Sequence, residues 1–209
     1  MTKEDIPAII VARLPLYLET LEIMHNEGIH KTSSRELGDR IGITAAQIRK
    51  DLSQFGEFGK QGTGYSIPGL VNELRSILNV NRIWEVALIG AGSLGTAIAR
   101  YPEFLHRGFK ITMIFDTNPQ LIGSQIGDLT IEDSVFMVER IRKSNIKIAL
   151  LTVPGPIAQS VADDLVTAGV TAILNYAPVA LNMPPDIIHV QHIDPILQLQ
   201  QMTYYLDES

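Results

Sequence analysis

Cysteine is absent from the 209 residues, which rules out disulfides, thiolate nucleophiles and thiolate metal sites. No apolar run approaches the roughly 18 residues needed to span a bilayer. The N-terminal MTKEDIPAIIVARLP mixes charge and proline with apolar residues and lacks the continuous stretch of a secretory signal. No HExxH motif occurs either. A soluble cytoplasmic protein with no membrane or metal partner is expected. Positive charge is also in short supply, with a formal net charge of -6. The deficit is uneven. Residues 1–80 hold nine Lys and Arg against ten acids, the remainder eight against thirteen, and residues 31–62 hold six against four. A modest basic patch on the first part of the chain is therefore compatible with nucleic acid, while the second part faces water. With 45% hydrophobic residues the chain can fill two small domains rather than one.

What is present falls into two periods. Leu14, Leu18, Leu21 and Met24 make a helical stripe, with Tyr17 beside it and Pro15 in its first turn. Ser33 followed by Glu36, and Thr44 followed by Gln47, read as capping boxes that open two short helices joined at Gly42. The second helix turns Ile48 and Leu52 inward and exposes Gln47, Arg49 and Lys50. Gly56, Gly59, Gly62 and Gly64 then punctuate a hairpin-like loop closed by Tyr65. Helix, tight turn, helix and loop is the layout of a winged helix-turn-helix, although capped helix pairs also occur in domains that never touch DNA. Pro68 opens a further helix to Leu78, and residues 79–82 form the joint.

From Trp84 the pattern becomes strand and helix in alternation. Apolar strands are predicted at 86–90, 111–116, 147–154 and 170–178, with a short one near 187–190. Helices are predicted at 94–106, about 131–143 and 156–168. Nearly all-apolar strands of this kind suit a doubly wound parallel sheet. Gly90, Ala91, Gly92, Ser93, Leu94 and Gly95 follow the first strand as GxGxxG and open a helix. The first glycine permits the turn, the second lets a pyrophosphate approach and the third lets helix pack on strand, with helix amides facing the phosphates. Asp116 ends the second strand, where a carboxylate accepts both adenosine ribose hydroxyls and repels a 2'-phosphate. NAD(H) is thus favoured over NADP(H). Thr152, Val153 and Pro154, and Asn175, Tyr176, Ala177 and Pro178, follow later strands and are candidates for the rest of the dinucleotide pocket, or in the case of the prolines simply for turns.

No catalytic residue is assigned. His25 and His30 lie in the first part, His106 ends a helix, and His189 and His192 sit near the last strand without an assignable acid partner. No separate substrate domain is expected after the Rossmann-like unit. The final segment, DPILQLQQMTYYLDES, sets Leu199, Met202 and Leu206 on one stripe, with Ile196 nearby. Such a helix can fold back or pair with a second copy.

RLPLYL (13–18), AQIRKDLSQFGEFGKQGTGY (46–65), GAGSLG (90–95), ITMIFD (111–116) and ILNYAP (173–178) together closely resemble the Rex family of redox-sensing transcriptional repressors. The resemblance spans nearly the whole chain. It implies a winged-helix domain over 1–80, a Rossmann-like NAD-binding domain over 81–193 and a dimerisation helix over 194–209, exchanged within a homodimer. It implies operator DNA as partner, and NAD+/NADH as a ligand that is sensed and not turned over, with NADH causing release. Gln47, Arg49 and Lys50 match the recognition helix, and Lys60, Gln61, Gly62 and Tyr65 the wing. Ser33 suits a phosphate contact. Arg13, Tyr101 and Asp194 match a relay whose partners exchange between redox states. Three departures stand out: Pro195 beside the switch aspartate, Tyr176 where Phe is usual, and Glu19 where a basic residue is more usual. The rival readings are a small NAD-dependent oxidoreductase with an accessory helical domain, and an interaction module whose Rossmann unit is an empty scaffold.

Overall fold

The computed structural model describes residues 6–56, 58 and 64–206. Contacts divide the chain into two units, residues 1–82 and 83–209.

The first unit contains α1 (Ala8–Val11), α2 (Leu14–Asn26), β1 (Lys31–Thr32), α3 (Ser34–Ile41), α4 (Ala45–Leu52), β2 (Tyr65–Ser66) and α5 (Ile67–Ile77). Pro15 sits in the first turn of α2, where a missing N–H leaves no helical bond unmade. Leu14, Tyr17, Leu21 and Met24 are wholly buried, so the helical spacing becomes one face packed against Leu37, Ile48, Ile67 and Leu74. Each such side chain contributes about 1.5–3 kcal/mol by leaving water. Gly42 ends α3 in the left-handed region at φ 72°. A Cβ on Gly38 would overlap the Ile43 carbonyl oxygen, so glycine is what lets α3 close onto the turn before α4.

Both helix starts are capped, but neither capping box is reciprocal. The Ser33 and Thr44 hydroxyls accept from the Glu36 and Gln47 amides at 3.1 and 3.2 Å. The Glu36 carboxylate instead accepts from the Thr32 hydroxyl, and the Gln47 amide donates to Asp51. β1 and β2 pair antiparallel, Thr32 opposite Tyr65.

The second unit is built on a sheet ordered β5-β6-β4-β3-β7-β8-β9, from β3 (Trp84–Ile89), β4 (Phe109–Asp116), β5 (Gln125–Ile126), β6 (Leu129–Asp133), β7 (Ile148–Leu151), β8 (Ala172–Asn175) and β9 (His189–His192). Every neighbouring pair is parallel except β5–β6. Without the β5 edge this is the Rossmann order, which reverses between β3 and β7. One buried cluster on the sheet centres on Phe115, Ile141, Leu151 and Leu165, another on Leu88, Ile98, Ile114 and Ile131.

Two helices expected from periodicity are divided. Instead of one helix over 94–106 there are α6 (Ser93–Ala99) and α7 (Glu103–His106). Pro102 lies between them, and a proline disfavours helix in the residue before it. Instead of a helix from 131, residues 129–133 form β6, pairing Ile131 with Ile114, and α8 begins only at Met137 (Met137–Ser144). The Asp133 carboxylate accepts from the Val135 amide at 3.0 Å and turns the chain out of the strand. The last strand pairs two residues later than expected, over 189–192. α9 (Gly155–Thr167) and α10 (Pro195–Thr203) complete the unit.

Candidate functional site

A cleft of about 620 Å³ opens at the carboxyl ends of β3, β4 and β7, a volume in the range of small-molecule sites. Gly90 turns the chain out of β3 at φ 98°, and a Cβ there would lie 2.8 Å from the Thr152 carbonyl oxygen. A Cβ on Gly95 would overlap the Gly90 carbonyl oxygen. Both glycines are therefore required by the protein's own packing. Gly92 is different. A Cβ there meets no atom of the described residues within 4 Å, yet Gly92 lines the cleft. The space it leaves belongs to whatever enters the cleft. The first-turn amides of α6 have no helical acceptor, and neither Lys nor Arg is among the lining residues, so phosphates would be held by backbone N–H groups.

Asp116 lines the same cleft. Its Oδ2 accepts from the Ala91 amide at 2.6 Å and its Oδ1 from the Asn118 amide at 2.8 Å. Each oxygen keeps a further lone pair for a ribose hydroxyl. Asp116 thus braces the glycine loop as well as facing the ligand space. The residues present fit a dinucleotide without a 2'-phosphate.

Of the other positions expected around the pocket, Ser93, Leu94, Thr152, Val153, Pro154 and Tyr176 line the cleft. Burial pushes the Tyr176 hydroxyl's pKa up. Ala91, Gly95, Asn175, Ala177 and Pro178 are not on its wall. Ala91 contributes its amide, and Gly95 its close packing. Asn175 is fully buried and shapes the turn, its Oδ1 accepting from the Ala177 amide at 2.9 Å and its Nδ2 donating to the Val179 carbonyl at 2.8 Å. Sequence reasoning missed Leu121, Ser134, Met137, Val161 and Asp164, which also line the cleft. Ser134 and Met137 were hidden by reading β6 as helix.

On the first unit, Arg49 and Lys50 are exposed at the end of α4, and Ser33 is exposed at the start of α3. The Arg49 guanidinium donates to the Ser34 hydroxyl at 3.0 Å. Tyr65 is half-buried in β2, where burial raises its pKa. Lys60, Gln61 and Gly62 lie outside the described residues. Gln47 is not free as expected: it is half-buried, and its Nε2 donates to Asp51 Oδ1 at 2.7 Å.

Asp51 is the centre of this region. Wholly buried, it accepts from Arg13 Nε at 2.6 Å and Nη2 at 2.7 Å, from Tyr17 at 2.6 Å and from Gln47. Burial pushes its pKa upward, but the donors from Arg13, Tyr17 and Gln47 outweigh that and hold it below the usual carboxylate range. The hydrogen bond to Asp51 raises the Arg13 pKa, and burial followed by the Asp51 contact pushes Tyr17 up to about 12.

Residues 5–53 match the family model "Putative DNA-binding protein N-terminus", and residues 81–179 match "CoA binding domain". The redox-sensing transcriptional repressor Rex of Chloroflexus aurantiacus is 51% identical over 207 residues, covering 99% of this chain and 97% of that one. This chain belongs to the Rex family of redox-sensing transcriptional repressors. Rex of Clostridium beijerinckii is 43% identical over 99% of this chain and 97% of its own. A Rex-family repressor, RSP, crystallised with β-NAD+ and operator DNA superposes with a TM-score of 0.91 at 39% identity, covering 95% of this chain and 91% of that one. Its β-NADH complex gives 0.88 at 36% identity, covering 98% and 94%. The family is one of regulators, not enzymes, and its fold combines the winged helix-turn-helix with the Rossmann-like domain seen here.

Within this Rex chain the three expected relay residues have the following surroundings. Arg13 belongs to the first unit and is held by Asp51. Tyr101 is exposed and stacks edge-on against Phe104, with centroids 6.1 Å apart. The Asp194 carboxylate caps α10 by accepting from the Ile196 amide at 2.9 Å, and Pro195 takes the first helical position. His192 gains the acid neighbour that was not assignable before: its Nε2 lies 4.0 Å from Asp194 Oδ2. Its Nδ1 faces Asn175 Nδ2, a donor, at 3.1 Å, so the ring accepts there and carries its proton on the side of Asp194. The signal was the i, i+2 spacing of His192 and Asp194 at a strand end. Among the described residues no cluster of three or more His, Asp or Glu is placed to hold a metal, and no helix is long and apolar enough to cross a membrane.

Proposed function

We propose that this protein binds operator DNA as a homodimer through α4 and the wing of Lys60, Gln61, Gly62 and Tyr65, and releases it when NADH occupies the cleft of the second unit. Transcription of the controlled genes then follows the NADH/NAD+ ratio in the cytoplasm. Gly92 carries the reading: a Cβ there would meet none of the described residues, while Asp116 lines the same cleft ready for a ribose. The related RSP repressor, crystallised with β-NAD+ and operator DNA and also with β-NADH, supports both ligands.

On this reading Gly90, Gly92, Ser93 and Leu94 receive the pyrophosphate, and Asp116 the adenosine ribose. Thr152, Val153, Pro154 and Tyr176 bound the nicotinamide side, with Ala91, Gly95, Asn175, Ala177 and Pro178 shaping the walls from behind. Arg49, Lys50, Lys60, Gln61, Gly62 and Tyr65 contact DNA with Gln47, and Ser33 meets a phosphate. Ile196, Leu199, Met202, Tyr204 and Leu206 on and after α10 are exposed and need a cover, which a second copy supplies by exchange of residues 194–209. Two subunits then present two recognition helices to paired half-sites. The ligand supplies a difference of charge and ring shape at the nicotinamide alone. It shifts the dimer only by its differential affinity for the two arrangements. Arg13, Tyr101 and Asp194 transmit that difference by exchanging partners; for Arg13 this means leaving Asp51 with Tyr17 and Gln47 as its remaining donors.

The test is operator retention at fixed total dinucleotide while the NADH fraction rises from zero to one. Occupancy falls as NADH rises; occupancy that stays flat overturns the proposal.

A further inference from the structure

Asp51 is inaccessible to DNA, yet it holds a residue on the face of α4 that DNA would meet. The carboxylate can only accept, so the Gln47 atom facing it is the amide nitrogen and not the oxygen. One amide hydrogen is thereby used. The other hydrogen and Oε1 remain, in a fixed order, as the donor–acceptor pair that matches an adenine edge in the major groove. Freed from Asp51, the amide could turn over and present the two atoms in reverse. In the arrangement where Arg13 is on Asp51, the carboxylate cannot turn or drift, because Arg13 grips both of its oxygens and Tyr17 one of them.

We propose that Asp51 is a specificity-determining residue for operator reading: it acts through Gln47, by holding that amide in one orientation. Asp51 is a positioning residue in this scheme and touches no base. The inference rests on the reading that α4 enters the major groove.

The test is a base-by-base operator profile, with every substitution at each half-site position, measured for the full-length parent, Gln47→Ala, Asp51→Ala and the double variant. Asp51→Ala lowers discrimination on the order of tenfold at the position that Gln47→Ala affects, and leaves the profile unchanged when Gln47 is already Ala. A merely structural role instead weakens all sequences evenly and does so in both backgrounds; that result overturns the inference. Lys50→Ala is measured alongside. If it reduces operator binding while Gln47→Ala leaves the profile intact, helix docking stands and the role of Asp51 fails. If neither changes binding, the docking reading itself has failed. Should Asp51→Ala not fold, the Gln47 side-chain amide in the 15N-labelled parent reads the same contact. Slowed solvent exchange of one of its two hydrogens on the operator complex supports it, and exchange of both at the rate of a free glutamine amide overturns it.

Discussion

Replacing Asp116 by Ala removes two internal hydrogen bonds and the two proposed to the ribose. The internal pair holds the Ala91 amide at 2.6 Å and the Asn118 amide at 2.8 Å. Hydrogen bonds to a charged group contribute about 1.5–3 kcal/mol each. Asp116 is half-exposed at the cleft mouth, so the low end applies to the ribose pair. About 3 kcal/mol of binding is lost, which is roughly a hundredfold in Kd. That figure is a floor, because the loop whose amides face the phosphates also loses its brace. The ribose is remote from the nicotinamide, so NADH and NAD+ weaken by the same factor and their ratio of affinities is kept. Discrimination against NADPH falls, since the repelling carboxylate is gone. Titration calorimetry with each dinucleotide gives the affinities, and fluorescence anisotropy with labelled operator in their absence gives DNA binding, which stays near that of the parent. An NADH affinity within threefold of the parent would refute the placement of the ribose at Asp116.

Lys50→Ala weakens operator binding and reduces the slope of log affinity against log salt by about 0.9, while calorimetry finds NADH affinity unchanged. Gly92→Ala leaves the melting temperature near that of the parent but weakens NADH at least tenfold, whereas Gly95→Ala drives a Cβ into the Gly90 carbonyl and lowers stability by about 1–3 kcal/mol. Equal effects of the two on melting would show that Gly92 is also a packing glycine. Asp51→Asn destabilises the first unit by about 3 kcal/mol at pH 7. Because the folded carboxyl lies below its usual range, its contribution is complete above the unfolded value of about pH 4 and is lost as the pH falls through the folded value. The stability gap between parent and variant, followed by denaturant unfolding, therefore closes on acidification; a gap that widens contradicts the assignment.

The elements that could be read from the residues share a property: their signal is local. Leu14 to Met24 repeat at helical spacing, Ser33 and Thr44 stand where caps must, and GxGxxG followed by an acid marks turn, helix and strand end within one short span. A phi-positive glycine, a cap and a buried stripe depend only on neighbouring residues. One failure had a distant cause: LTIED became β6 because Ile114 on β4 offered Ile131 an edge to pair with. The other was local, the helix over 94–106 being divided by Pro102 within it. The local pattern around 131 was equally good for either state.

For the two proposed sites, residue types are more legible in the sequence than the contacts those residues make. Chain order and side-chain chemistry by themselves determined two domains, the family, the glycine loop with its acid, and the exposed base-bearing helix. These follow from short-range periodicity and motif spacing. Only tertiary structure decided that Asp51 is buried under Arg13 and Tyr17, that Asn175 faces inward and bonds His192, and that Asp116 braces the loop it serves. Those are contacts between residues 17 to 38 apart, made where buried polar groups must find partners away from water. No spacing rule specifies which partner each will find.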